Sequence, residues 1–133
     1  MIPELQRVDH FHVMVSDRDA AEAWYKQVLG FERIEKFVDW ADAGGPLTLA
    51  NKSDTIHIAL FQRPVIKHHA VIAFLVGAKE FIQWQNHLNQ LLDKEIDAVD
   101  HDLSWSLYFT DPDGNPYEIT NYDYSELQDQ IKH

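Results

Sequence analysis

The sequence predicts an α+β fold in which two βαβββ modules form a cleft of curved β-sheet. The pattern strand, helix and three strands occurs twice within 133 residues, at a spacing of about sixty residues, which is longer than the common solenoid repeats. The first strand carries histidines and the last carries a glutamate, so both ends of the chain offer polar groups to a shared site. Neither module alone could bury both faces of its sheet, and the two are therefore expected to form one domain over residues 1–133.

The first module is predicted over residues 8–62. Val8–Val15 alternates in hydrophobicity as a half-buried strand does. Ser16 is the expected N-cap of the following helix, with Asp19 three residues later as in a capping box. Gly30 is expected to end this helix after Leu29. Three further strands are predicted, at Phe31–Val38, Leu47–Ala50 and Thr55–Gln62.

The second module is predicted over residues 68–122. A strand at His69–Val76 precedes an amphipathic helix at Ala78–Leu92, whose apolar residues recur at helical spacing. The Asp111–Gly114 turn is expected to join the last two strands, with Gly114 supplying a positive φ. The remaining strands are predicted at Glu95–Val99, Trp105–Thr110 and Tyr117–Tyr122, and a short C-terminal helix is predicted within residues 123–133, at Glu126–Lys132.

Charge and composition exclude several classes of protein. The net charge is −11 and the pI is about 4.9, whereas nucleic acids and anionic membranes are bound by basic surfaces. There is neither an 18-residue apolar run nor the pattern of a signal peptide, so we expect a cytoplasmic protein. Cysteine is absent, which excludes disulfides and thiolate chemistry by the chain itself.

Two motifs carry a resemblance to a known family. They are VDHFHVMVSD followed by AEAWYKQVLGF near the start, and YFTDPDGNPYEI near the end. With the module order, they make the chain similar to the vicinal oxygen chelate superfamily, which includes glyoxalase I, fosfomycin-resistance enzymes, bleomycin-resistance proteins and extradiol dioxygenases. The resemblance implies a homodimer whose cavity holds a divalent metal, bound by His and Glu from the first and last strands of each module.

The resemblance assigns two of four ligand positions to suitable residues. His10 matches the position in the first strand and Glu118 the position in the last. Ala59 and Val71 stand where the family would offer the other two ligands. His57 and His69 each lie two residues earlier, on the same strand face and about 6.6 Å along the strand, so both are candidate ligands of a shifted site. Such a donor set suits zinc, iron, nickel, cobalt or manganese better than calcium.

Further residues are candidates for contacting a substrate. His12 shares the face of His10, and Trp40, Trp105 and Tyr108 lie at loops or strands where they could cap a pocket. Glu118 is also the candidate catalytic residue, because a carboxylate beside a metal can accept a proton.

Three functions remain open from the sequence. The leading hypothesis is a metal-dependent enzyme acting on a small oxygen-bearing molecule, as a lyase, isomerase, transferase or dioxygenase. The second is a metal-free protein of the bleomycin-resistance type that sequesters a small ligand, which the residues Ala59 and Val71 favour. The third is a structural or regulatory subunit with a vestigial cleft.

Overall fold

The computed structural model describes residues 1–131, and the chain divides into two compact units, Met1–Ile66 and Lys67–His133. Each unit contains one four-stranded sheet with strands in the same relative order. The α+β class is therefore confirmed, and so is the repeated order of strand, helix and three strands. The exact module boundaries remain a prediction.

The first unit has strand order β1-β4-β3-β2, with β1 parallel to β4 and the other neighbours antiparallel. Helix α1 continues into one π-helical turn and ends at Gly30, whose φ of 74° is the left-handed conformation that glycine tolerates. The elements are β1 (Phe11–Val15), α1 (Arg18–Trp24), the π-helical turn (Tyr25–Leu29), β2 (Glu32–Arg33), a 3-10 turn (Glu35–Phe37), α2 (Val38–Asp42), β3 (Leu47–Ala50) and β4 (His57–Gln62).

The second unit repeats this topology, with strand order β5-β8-β7-β6 and β5 parallel to β8. Gly114, at φ 87°, lies in the turn between β7 and β8 as predicted. The elements are β5 (Ile72–Leu75), α3 (Ala78–Leu91), β6 (Val99–Asp100), β7 (Trp105–Thr110), β8 (Pro116–Asn121) and α4 (Tyr124–Ile131).

Each sheet buries mainly one face, because side chains alternate along a strand. In the first unit the buried face includes Val13 and Val15 of β1 with Ile58 and Leu60 of β4. The corresponding residues of the second unit are Leu107, Tyr117 and Ile119, together with Phe81 and Leu88 of α3. The opposite face of each sheet carries the polar residues from which a site can be built.

The first strand and first helix begin later than predicted. Strand β1 starts at Phe11 rather than Val8, so His10 immediately precedes the strand. The N-cap is Asp17 rather than Ser16, and its Oδ1 accepts a hydrogen bond from the Ala20 N–H at 3.1 Å. A carboxylate one residue further along reaches the same free N–H groups and also favours the positive end of the helix.

Two predicted strands are mostly not strands. Of Phe31–Val38, residues Glu32–Arg33 pair with β3, and the chain then becomes helical where the Phe37 ring stacks on that of Trp40, three residues on, at 4.4 Å. Of Glu95–Val99, Val99 enters β6. Ile96 is held outside the ladder by α3, because Asn89 Oδ1 accepts from its N–H at 2.7 Å and Gln85 Nε2 donates to its carbonyl at 3.0 Å.

The ends of the second unit also differ from the prediction. Strand β5 begins at Ile72, so His69 lies in the segment before it. The C-terminal helix begins at Tyr124, and the predicted end at Lys132 lies outside the described residues, as does His133. None of the helices within residues 1–131 is long and apolar enough to span a bilayer.

Candidate functional site

A histidine pair lies at the start of the first unit's sheet. His10 Nδ1 donates to Asp9 Oδ2 at 2.7 Å, and His10 Nε2 lies 2.9 Å from His12 Nε2. The two imidazole rings stack with their centroids 4.9 Å apart. The hydrogen bond from His10 lowers the pKa of Asp9 below its usual value, so this carboxylate stays ionised and holds the His10 ring.

Strand pairing places His12 beside one of the two altered ligand positions. His12 and Ala59 are partners across the parallel pair of β1 and β4, so their side chains leave the same face at the same level. The His12 ring packs against that of Phe61, two residues beyond Ala59, with centroids 4.7 Å apart. The small Ala59 side chain leaves room for the imidazole next to it.

His57 is held by a turn of its own unit. Its Nε2 donates to Asp54 Oδ1 at 2.6 Å, and Asp54 has a positive φ of 58°. The turn is fastened by Asn51, whose Oδ1 accepts from the N–H groups of Thr55 and Ile56 at 2.9 Å each. The ligand role predicted for His57 would require Nε2 to leave Asp54, or the ring to bind through Nδ1.

Glu118 occupies a central strand of the second sheet. It lies between Ala73 of β5 and Tyr108 of β7, and it is half-buried. The fully buried Ser106 donates from Oγ to Glu118 Oε2 at 2.7 Å. Thr120 Oγ1, 3.1 Å from Ser106 Oγ, donates to the Trp105 carbonyl at 3.1 Å. Since the Thr120 proton is used in that way, the Ser106 proton is directed to the carboxylate.

Tyr108 lies on the same face as Glu118, as its position in the register requires. Its hydroxyl lies 2.9 Å from His101 Nε2, and the two rings meet edge to face. The side chain is 41% exposed. This face of the second sheet therefore combines a carboxylate, a serine hydroxyl, a phenol and an imidazole.

The other predicted site residues lie in less informative positions. His69 is exposed ahead of β5, and Trp40 is exposed with its ring stacked on Phe37. Trp105 is buried on the opposite face of β7 from Tyr108, and its Nε1 donates to the Tyr124 carbonyl at 3.2 Å. Trp105 thus packs in the core of its unit. Within residues 1–131, no three His, Asp or Glu side chains are placed to hold one metal ion.

Three contact residues were not identified from the sequence: Asp9, Ser106 and His101. Asp9 adjoins the first motif, but its role depends on a side-chain conformation. Ser106 could have been found from the hairpin, because the Asp111–Gly114 turn sets the register that makes Ser106 the partner of Thr120. His101 had no signal in the sequence, since the two-residue strand β6 before it was not placed correctly.

A comparison with protein families identifies the fold family. Residues 7–119 match the family model described as the Glyoxalase/Bleomycin resistance protein/Dioxygenase superfamily. The chain belongs to this superfamily. The match confirms the resemblance carried by the two sequence motifs.

Relatives and solved structures agree with this assignment. The chain is 28% identical to the metallothiol transferase FosB of Lysinibacillus sphaericus over 131 residues, which cover 96% of this chain and 88% of the relative. It is also 28% identical to the FosB of Staphylococcus epidermidis over 127 residues, covering 87% of this chain and 82% of the relative.

Among solved structures, a glyoxalase family protein from Bacillus anthracis has a TM-score of 0.70 and 22% identity, covering 92% of this chain and all of that one. The fosfomycin resistance protein FosX of Listeria monocytogenes, solved with Mn(II) and sulfate, has a TM-score of 0.66 and 14% identity. It covers 98% of this chain and all of that one. At these identities the structures show the fold alone.

Proposed function

We propose that this protein is a metal-dependent enzyme that acts on a small oxygen-bearing molecule. The observation that carries the proposal is that both residues at matched ligand positions are held by a dedicated partner. Asp9 orients His10, and Ser106 orients Glu118. Metal-binding histidines commonly donate their other ring N–H to a carboxylate, which fixes the tautomer and the ring orientation.

The donor atoms fit a divalent transition metal. With Nδ1–H directed to Asp9, His10 presents the lone pair of Nε2. Ser106 engages Oε2 of Glu118, so Oε1 is the oxygen that we assign to a metal or to a substrate proton. Imidazole with carboxylate suits zinc, iron, nickel, cobalt or manganese. A bound metal would polarise a substrate oxygen and stabilise negative charge on it.

For the reaction itself, we propose thiol transfer to an electrophilic carbon. The support is the likeness to two proteins named metallothiol transferases, over most of the length of both chains. A bond forms between the thiol sulfur and carbon, a carbon–oxygen bond breaks, and the thiol proton ends on the released oxygen. Because the chain has no cysteine, the thiol must be a co-substrate.

The test uses untagged protein, since a histidine tag would bind metal. Protein incubated with Zn²⁺, Ni²⁺, Co²⁺ or Mn²⁺ and then desalted should retain about one metal ion per chain by elemental analysis. Incubation of the loaded protein with fosfomycin and cysteine should produce a thioether adduct visible by ³¹P NMR. Glu118→Gln should abolish the adduct, whereas Glu126→Gln, on the exposed side of α4, should not.

The proposal fails if the protein retains none of these metals and forms no product under any metal condition. Metal retention without product for fosfomycin would overturn the thiol-transfer assignment for this electrophile and leave the metal-dependent class standing.

A second candidate function is supported by the two altered ligand positions. Ala59 is buried and Val71 is exposed, and neither can bind a metal. A metal-free protein that sequesters a small ligand, cationic in view of the net charge of −11, is consistent with them. Thermal-shift measurement distinguishes the two functions: a binder gains stability with aromatic cationic drugs and none with metals, whereas the enzyme shows the reverse.

For the cellular setting, we propose a cytoplasmic homodimer with a small-molecule substrate and neither nucleic acid nor membrane as a partner. The acidic charge supports the last two exclusions. The dimer follows from the family resemblance and is tested below.

A further inference from the structure

We propose that His12 binds the metal together with His10, so that the second imidazole, on β1, replaces a ligand lost at Ala59. This inference rests on the proposed metal dependence and names a ligand of the same site. It changes the role predicted for His12, which the sequence assigned to substrate contact. It also makes the displaced histidines at His57 and His69 unnecessary as ligands.

The distance between the two ring nitrogens supports a shared metal. His10 Nε2 and His12 Nε2 lie 2.9 Å apart. Two imidazole nitrogens bound to one ion at about 2.0–2.1 Å stand roughly 2.9–3.3 Å apart when the N–metal–N angle is between about 90° and 109°. The observed spacing therefore matches that of two ligands at adjacent coordination positions of one ion.

The tautomers of the pair are consistent with this role. Asp9 accepts from His10 Nδ1, which leaves Nε2 of His10 as a lone-pair donor. His12 Nε2 lies 2.9 Å from that nitrogen, so without metal the tautomer of His12 that carries its proton on Nε2 would donate to that lone pair. Metal binding would require the His12 proton to move to Nδ1, which leaves a lone pair on both Nε2 atoms. The contact between the rings keeps the two nitrogens at the spacing that two ligands of one ion require.

The strand register explains why His12 can replace the missing ligand. The resemblance assigns a ligand to Ala59, and Ala59 is the partner of His12 on the neighbouring strand. Adjacent strands lie about 4.8 Å apart, and an imidazole side chain extends far enough to cross that distance. The His12 ring also packs on Phe61, which fixes its orientation. His57, in contrast, is engaged by Asp54.

The imidazole ligands of the proposed site decide which metals it would prefer. They favour Zn²⁺, Ni²⁺, Co²⁺ and Cu²⁺ over Ca²⁺ and Mg²⁺, which prefer oxygen ligands. Mn²⁺ should bind more weakly than Zn²⁺ at the same site, following the usual order of stability for divalent metals. Coordination positions not taken by the two imidazoles would be open to further ligands and to substrate.

The test measures metal affinity without reference to activity. Zn²⁺ binding by isothermal titration calorimetry and the visible absorption of the Co²⁺-loaded protein are recorded for untagged wild type and variants. His12→Phe is the key variant, because phenylalanine keeps the ring that packs on Phe61 but has no nitrogen. His10→Ala removes the other imidazole. His57→Ala tests the displaced histidine as the alternative ligand, and His87→Ala, which removes a histidine of α3, is the matched control.

We expect His12→Phe and His10→Ala each to weaken Zn²⁺ binding by more than about 10-fold and to change the Co²⁺ spectrum. Loss of a residue that only supports a ligand already costs about 10- to 100-fold in affinity, and loss of a ligand should cost no less. His57→Ala and the control His87→Ala should each bind within about threefold of wild type. Equal melting temperatures of the metal-free His12→Phe and wild-type proteins would show that the fold is intact.

Three outcomes overturn the inference and can be told apart. If wild type binds Zn²⁺, His10→Ala loses it, and His12→Phe binds as wild type does, His12 is not a ligand and the proposed enzyme class stands. If wild type itself binds none of the metals, the metal-dependent function fails together with the inference. A loss confined to His57→Ala would assign the second imidazole to His57 instead.

Discussion

At the scale of single residues, the support of Glu118 is a buried polar chain rather than a lone carboxylate. Ser106 is fully buried, and its hydroxyl is satisfied by Glu118, while Thr120 is satisfied by the Trp105 carbonyl. Burying a hydroxyl without a partner is unfavourable, so such a chain persists where each member is bonded. Because the buried Ser106 hydroxyl donates to Glu118, the proposed catalytic residue, we infer that Ser106 fixes the orientation of this carboxylate.

The first prediction is that Ser106→Ala weakens both the fold and the site. Loss of the hydrogen bond to Glu118 should destabilise the protein by about 0.5–1.5 kcal/mol. Because Glu118 loses its orienting donor, metal affinity should fall by roughly 10-fold, the lower end of outer-shell effects. Urea unfolding and Zn²⁺ calorimetry measure the two quantities, and Ser106→Thr is the variant that can restore the donor.

The matched control is Ser125→Ala, since Ser125 is exposed on α4. It should change neither stability nor affinity. A purely structural role for Ser106 would appear as lost stability with unchanged metal affinity in Ser106→Ala, and would contradict a positioning role.

Two of the proposed ligands, His10 and Glu118, were predicted from the sequence, whereas most of the side chains that contact them were not. His10 and Glu118 lie in motifs whose residue order is diagnostic. The contacts of Asp9 and His101 depend on side-chain conformation and on a short strand, neither of which leaves a periodic signal. The sequence showed that Ala59 and Val71 depart from the family pattern. It could not show that His12 lies beside Ala59 on the neighbouring strand.

At the scale of elements, an ion pair joins α1 to β2 in the first unit. Arg33 donates from Nε to Glu22 Oε2 at 2.6 Å and from a terminal nitrogen to Oε1 at 2.8 Å. This bidentate geometry is the favourable one for an ion pair between arginine and a carboxylate. The hydrogen bonds from Arg33 lower the pKa of Glu22 below its ordinary value of 4.5, despite partial burial that acts in the opposite direction.

The second prediction concerns the pH dependence of this ion pair. Because the folded-state pKa of Glu22 is lowered, the pair stabilises the fold above about pH 4.5, and this stabilisation is lost as the pH falls through the folded-state pKa. Glu22→Gln should lower Tm by roughly 1–3 °C at pH 7, as expected for a partly exposed pair. The difference from wild type should shrink as the pH is lowered below 4.5.

Scanning calorimetry at several pH values between 3.5 and 7 measures this difference. Glu126→Gln provides the control, because Glu126 is exposed in the first turn of α4. A Glu22→Gln deficit that stays constant across the whole pH range would show that the ion pair is not its source.

Elements with a strong period were predicted well, and those decided by tertiary contacts were not. Strand β7 has the predicted bounds, Trp105–Thr110, and α3 differs by one residue at its end. The strand predicted at Phe31–Val38 was largely wrong because its apolar residues also fit the helical spacing that Phe37 and Trp40 adopt. The strand predicted at Glu95–Val99 failed because polar side chains of α3 bind the backbone of Ile96.

At the scale of the whole molecule, exposed apolar residues indicate where copies of this acidic chain can associate. Two large apolar residues lie on the face of the second sheet that carries Glu118: Leu75 is 71% exposed and Tyr108 is 41% exposed. Strand β5, which contains Leu75, is also an edge of its sheet. Exposed apolar groups at a sheet edge are typical of surfaces that another chain covers.

The third prediction is that the protein is a homodimer and that Leu75→Glu disrupts it. Burying a leucine contributes about 1.5–3 kcal/mol, so replacing it with a charge should weaken dimerisation by roughly 10- to 100-fold. Each chain carries a net charge of −11, so the two chains of a dimer repel each other. Dimerisation should therefore strengthen as the salt concentration rises from 0.05 to 0.5 M, because the Debye length falls from about 14 Å to about 4 Å. Sedimentation equilibrium of wild type and variant at both salt concentrations measures this.

Leu103→Glu is the matched control, because Leu103 is 79% exposed in the turn between β6 and β7, at the opposite edge of the sheet from β5. If the site is completed across two chains, Leu75→Glu will also lose metal affinity at protein concentrations where it is monomeric and regain it where the dimer forms. A wild type that stays monomeric at every concentration and salt level would instead require each chain to provide its own complete site.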